Sequence, residues 1–161
     1  MSIHLIHATQ ANGIPLRTGK KERKFKMLFL DIGLFQRAMQ IDSQEVLDRD
    51  LLDIHEGTLA EHFVGQELLA YTDFFEDRYL YFWEREKKSS SAELDYVFNI
   101  SSRVIPIEVK AGKTGRLRSL KQFMSEKDLN LGIRISQAPL SLNEKILSVP
   151  FYMISEISRL I

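Results

Sequence analysis

Two carboxylates and a lysine are the residues of this chain best placed to do chemistry. In "VIPIEVKAGK" (residues 104–113), Glu108 and Lys110 stand two apart within a β-branched run. Strand side chains alternate, so Ile105, Ile107 and Val109 share one face, and Val104, Glu108 and Lys110 share the other. In "AELDYVFNI" (92–100), Leu94, Tyr96 and Phe98 form the apolar face, which leaves Asp95 on the other face beside Glu93 and Val97. If Ser101 and Ser102 close a two-residue hairpin, the register sets Asp95 across from Glu108; a loop one residue longer would send them to opposite faces. Directly opposed Cβ atoms lie about 4.5–5.5 Å apart, and two carboxylates at that distance repel. A cation must compensate. Lys110 supplies part of the charge, and Mg²⁺ or Mn²⁺ would supply the rest, taking carboxylate oxygens while keeping waters that bridge to a phosphate. Lys110 could then polarise an attacking water or stabilise the transition state of phosphodiester hydrolysis. A lone E-x-K also fits a solvated strand face; the opposing Asp95 is what raises the pattern above that.

The elements that must position these residues follow from periodicity. "IHLIHATQANGIPL" and "KFKMLFLDIGLF" read as two strands around a basic, glycine-containing loop, a hairpin. Residues 42–53 read as a polar helix or linker. "EGTLAEHFVGQELLAYTDFF" follows as a helix with Ala60, Phe63, Val64, Leu68 and Tyr71 at helical spacing. Three strands, 78–85, 92–100 and 103–111, separated by short polar loops, make an antiparallel meander. "GRLRSLKQFMSEK" is a basic amphipathic helix, "LGIRIS" (131–136) a strand, and "VPFYMISEISRLI" a last strand running into a C-terminal turn.

Composition narrows the classes. The chain has 161 residues, 44% hydrophobic and 27% charged, which suits one compact core. It contains no cysteine, so disulfides and cysteine zinc sites are excluded. The apolar run "MLFLDIGLF" is short and broken by Asp31, no signal-peptide pattern opens the chain, and a cytoplasmic protein without membrane contact is expected. Formal net charge is zero, so any attraction to nucleic acid must be local. Two basic clusters could meet phosphates: Arg17, Lys20, Lys21, Arg23, Lys24 and Lys26, and then Lys110, Lys113, Arg116, Arg118 and Lys121.

Asp95, followed after twelve residues by Glu108-Val109-Lys110, with flanking helices, resembles the PD-(D/E)xK phosphodiesterase superfamily of restriction-endonuclease-like nucleases and Holliday junction resolvases. More closely, "FKMLFLDIGL", "GTLAEHFVGQEL", "AELDYVF" and "IPIEVKAGKTGRLRSLKQF" resemble the uncharacterised C-terminal domain of prokaryotic AAA-type ATPases. The resemblance implies an α/β, restriction-endonuclease-like core (helix, three-strand meander, helix, strand) over 42–161. Residues 1–41 would be a β-hairpin and linker, the tail of a winged-helix segment. It also implies Asp95 and Glu108 as metal ligands, Lys110 as catalytic lysine, and an acid on the first helix. Glu61 matches that acid's spacing, with Glu67 as the rival. Lys113, Arg116, Arg118, Lys121 and Gln122 would contact DNA, branched DNA included. Leu94 replaces the proline of the superfamily's name, which is not a metal ligand.

No ATP site accompanies this pattern: "GIPLRTGKK" has one residue too many between Gly13 and Gly19, and Lys21 where a phosphate loop has Ser or Thr. The chain would then be a fragment or truncated product working with an AAA-type ATPase module in cis or in trans. Exposed edges would favour a homodimer. His4, His7, His55 and His62 show no ligand spacing and read as structural or surface residues; Tyr79, Tyr81 and Trp83 read as packing groups. Two functions compete: a Mg²⁺- or Mn²⁺-dependent DNA nuclease, and a non-catalytic module that binds DNA or an ATPase partner.

Overall fold

The computed structural model describes residues 3–41, 57–71, 79–85, 92–100, 102–112 and 115–161. The segment 42–53 and Lys113 lie outside them. The described strands are β1 (Ile3–Thr9), β2 (Lys20–Phe29), β3 (Tyr81–Glu84), β4 (Glu93–Ile100), β5 (Arg103–Val109), β6 (Gly132–Ser136), β7 (Ser141–Asn143) and β8 (Ile146–Pro150). The described helices are α1 (Ile32–Ala38), α2 (Thr58–Ala70), α3 (Arg118–Glu126) and α4 (Ile157–Leu160). All eight strands join one mixed sheet in the order β2-β1-β3-β4-β5-β6-β8-β7.

Helices pack on both faces. Val64, Leu68 and Leu69 of α2 bury against Ile6, Leu28, Tyr96, Ile105, Ile107 and Val109. On the other face, Leu120, Phe123 and Met124 of α3 bury against Trp83, Leu94 and Val97. Each such side chain contributes about 1.5–3 kcal/mol by leaving water. Tyr81 and Trp83 are packing groups, 3% and 5% exposed, and Trp83 meets Phe123 edge-on at 5.0 Å; Tyr79, expected to pack with them, is instead 50% exposed.

The β3-β4-β5 run is antiparallel, β6 returns parallel to β5, and β8 lies parallel to β6. Three local expectations are corrected. "KFKMLFLDIGLF" is not one strand, because the Asp31 carboxylate accepts the Leu34 N–H at 2.8 Å and caps α1. On α2, Phe63 and Tyr71 are exposed, and Leu59, Gly65 and Leu69 are buried with Ala60, Val64 and Leu68. In β4, Trp83 pairs with Leu94 but Tyr81 pairs with Val97, so Asp95 and Tyr96 together oppose Phe82. This bulge sends Leu94 to the α3 face with Val97 and Tyr96 to the α2 face, undoing the alternation read from the sequence.

The N-terminal hairpin is integral to the sheet. β1 pairs in parallel with β3, His7 beside Tyr81 and Ala8 beside Phe82, and Gln66 of α2 donates to the Phe29 carbonyl at 2.9 Å. Residues on both sides of position 41 therefore share one sheet.

Candidate active site

The site forms where β4 and β5 part. Their pairing follows the expected register from Ile100–Arg103 to Tyr96–Ile107 and stops one step before Asp95 and Glu108. At that step the ladder gives way to a side chain: Asp95 Oδ2 accepts the Val109 N–H at 2.7 Å. β5 stays fixed on its other side, where the Lys110 N–H donates to the Ile135 carbonyl at 2.8 Å.

Glu108 is only 5% exposed. Its Oε1 lies 2.6 Å from Lys110 Nζ, and its Oε2 is buried without a hydrogen-bond partner. Burial pushes the Glu108 carboxyl up to about 7, the Asp95 charge adds to the rise, and Lys110 opposes it. Burial likewise pushes Asp95 up, against the Val109 N–H, Lys26 and Lys110. Glu61, in the first turn of α2, rises to about 7 through burial and the Asp95 charge, with Lys26 and Lys110 pulling it down. Asp95 is thus the common neighbour of Glu61 and Glu108. Lys110 and Lys26 together face the carboxylates of Glu61, Asp95, Glu93 and Glu108, which leaves this group short of positive charge.

Two close approaches hold the group in place. Tyr96 donates its hydroxyl to the Glu61 carbonyl at 2.7 Å, which ties the start of α2 to the sheet. Gly65 permits this, since a Cβ there would lie 2.6 Å from the Tyr96 oxygen. At Gly115 a Cβ would lie 2.9 Å from Lys110 Cδ, so the chain folds directly over the lysine stem.

The other candidates fall elsewhere. Glu67 hydrogen-bonds Tyr71 at the exposed end of α2. Arg116, Arg118 and Lys121 are exposed, and Gln122 donates to Glu126 along its own helix at 3.1 Å. His62 stacks on Phe35 at 3.7 Å, and burial lowers its pKa. Sequence reasoning placed Lys26 in the first basic cluster, among residues that could meet phosphates, but did not bring it to this site. Lys26 pairs with Glu93 and acts on both Asp95 and Glu61. Its signal lies in the strand order, not in local spacing. A separate open cleft of about 370 Å³ borders Trp83, Arg85 and Lys127, where Arg85 pairs with Glu126 at 2.7 Å and Lys127 donates to the Asn12 side-chain oxygen at 2.6 Å.

Among the described residues, no three His, Asp or Glu side chains are gathered as a ready-made metal site. The donor set fits a hard cation held by one or two carboxylates and completed by substrate phosphate and water. The orphaned Glu108 Oε2 and the raised carboxyls are what such a charge would relieve. Among the described residues no helix is long and apolar enough to cross a membrane.

A family model described as "Domain of unknown function (DUF4143)" matches residues 56–152. No curated protein and no solved structure matches the chain.

Proposed function

The chain belongs to the DUF4143 family, a domain of unknown function; from the geometry of the site we propose a metal-dependent phosphodiesterase acting on DNA, on a restriction-endonuclease-like core. One observation carries the reading: a buried carboxylate, Glu108, holds a lysine by one oxygen and leaves the other unpartnered beside Asp95. A buried unpaired carboxylate oxygen is costly, and such strain clusters at functional sites.

In this reading Asp95 and Glu108 hold Mg²⁺ or Mn²⁺, which when bound supplies Lewis acidity at the phosphoryl oxygens. Lys110, anchored through its backbone to β6 and through its ammonium to Glu108, places a positive charge where negative charge grows in the transition state. Glu61, with a carboxyl near 7, can hold or release a proton at neutral pH. Arg116, Arg118 and Lys121, exposed just after the Gly115 that approaches Lys110, contact backbone phosphates.

The test is cleavage of supercoiled, single-stranded and branched DNA in Mg²⁺ and in Mn²⁺. Wild type should cut, and Lys110→Ala should lose cleavage while retaining DNA binding. Equal cleavage by both proteins would sink the assignment.

A second reading draws on the N-terminal hairpin. Leu5 and Met27, directly opposed across β1 and β2, are 45% and 55% exposed, and Phe25 beside them is 50% exposed. Such a face suits a non-catalytic module that docks an AAA-type ATPase partner. It predicts that Lys110→Ala is without consequence and that no divalent cation binds in the millimolar range.

A further inference from the structure

Glu84 and Glu93 face each other across β3 and β4. Like charges directly opposed in a sheet are destabilising, so each needs a cation. Both cations come from β2: Lys24 pairs with Glu84 and Lys26 with Glu93. Two strands separate β2 from β4, a backbone distance of roughly 14 Å at about 4.8 Å per strand. Lys26 and Glu93 can meet over that span only with both side chains lying flat over the sheet. The ammonium of Lys26 accordingly sits 4.9 Å from the centre of the Phe82 ring, opposite the β4 bulge that carries Asp95. It therefore points along the sheet toward the carboxylates, and its charge reaches both Asp95 and Glu61. The pair is not sealed: the side chains of Lys26 and Glu93 are 35% and 47% exposed.

We propose that Lys26 is a phosphate contact of the site, masked by Glu93 until the DNA backbone displaces that carboxylate. The inference rests on the phosphodiesterase reading and extends it, since it places a substrate-binding residue in the N-terminal hairpin, outside the stretch matched by the family model. An exposed Lys–Glu pair is worth little in water, so a DNA strand, whose closely spaced phosphodiester charges release counterions when a lysine binds, can compete with a single carboxylate for the ammonium. Glu93 then acts as a filter that disfavours weak anions and returns Lys26 to its resting partner after release.

The experiment is binding of a labelled DNA oligonucleotide to the full chain by fluorescence anisotropy across a salt series, for wild type, Lys26→Met, Lys26→Arg and Glu93→Gln. Loss of one phosphate contact should weaken binding about tenfold in Lys26→Met and reduce the salt slope by roughly one charge. Lys26→Arg should retain the wild-type slope. Glu93→Gln should tighten binding by about threefold to tenfold, because it unmasks the lysine. A purely structural pair would behave differently: Lys26→Met and Glu93→Gln would lower thermal stability alike and shift affinity together or not at all. That outcome, or wild type that fails to bind DNA at low salt, overturns the inference. DNA binding that follows the expected pattern in a protein that cuts nothing would refute the catalytic reading and leave the Lys26 contact standing.

Discussion

The molecule contains two hairpins built on different terms. In β4–β5 the connection is short, the register runs unbroken from Ile100–Arg103 to Tyr96–Ile107, and Ile105, Ile107 and Glu108 are all 5% exposed or less. In β1–β2 residues 10–19 intervene and the register slips between His7 and Ala8. There Leu5, Phe25 and Met27 remain about half exposed. The inner hairpin tolerates no slippage, because a one-residue shift would exchange its core residues for its charged ones. That register holds the buried Glu108 beside the half-buried Asp95. The outer hairpin leaves one face open and reaches the site through the long side chain of Lys26.

Loop insertion should break this contrast most sharply. One glycine added between Ser102 and Arg103 should flip β5 and abolish cooperative unfolding, followed by circular dichroism. One glycine added after Gly13, a point with nothing within 4 Å although Ala11 and Leu16 of the same connection are buried, should cost less and leave cooperative unfolding intact.

The next largest effect concerns pH. Glu108 has its folded-state pKa raised from 4.5 to about 7. The native state therefore binds this proton more tightly than the unfolded chain. The stabilisation is fully present below pH 4.5 and is lost as pH rises through 7. Glu108→Gln removes that dependence, so urea titrations should show the variant gaining on wild type from pH 5 to pH 8, by up to roughly 3 kcal/mol. Adding Mn²⁺ at pH 8 should narrow the gap, and at pH 5 it should change little.

Smaller effects should come from the packing around the site. Gly65→Ala drives a methyl into the Tyr96 hydroxyl and should cost about 1–3 kcal/mol. Tyr96→Phe removes the bond to the Glu61 carbonyl and should cost about 1 kcal/mol. Chemical denaturation measures both. Met27→Gln on the open hairpin face should stay within about 0.5 kcal/mol.

The same contrast explains what could be read from the residues alone. The β4–β5 register was legible because a two-residue connection and strict alternation leave one arrangement that buries Ile105 and Ile107. The orientation of Leu94 was not legible. It depends on the bulge opposite Phe82, which only the register of β3 reveals. Glu61 and Glu67 could not be separated by helical spacing. The Asp95 charge acting on the Glu61 carboxyl and the Glu67 bond to Tyr71 separate their surroundings, and the first is brought about by the fold rather than by helical spacing. The link of Lys26 to this site stayed hidden for the same reason, since its partner Glu93 is brought near by strand order. The α1 helix was missed although Asp31 offered a capping signal, because the apolar run before it reads as strand.

The most direct measurement is titration of Mn²⁺ into the protein at pH 8, followed by calorimetry, for wild type and Glu108→Gln. The account predicts one Mn²⁺ per chain in the millimolar range or tighter for wild type and a loss of about tenfold or more in the variant. Wild type that binds no Mn²⁺, or a variant that binds it equally well, would contradict a carboxylate metal site at Asp95 and Glu108.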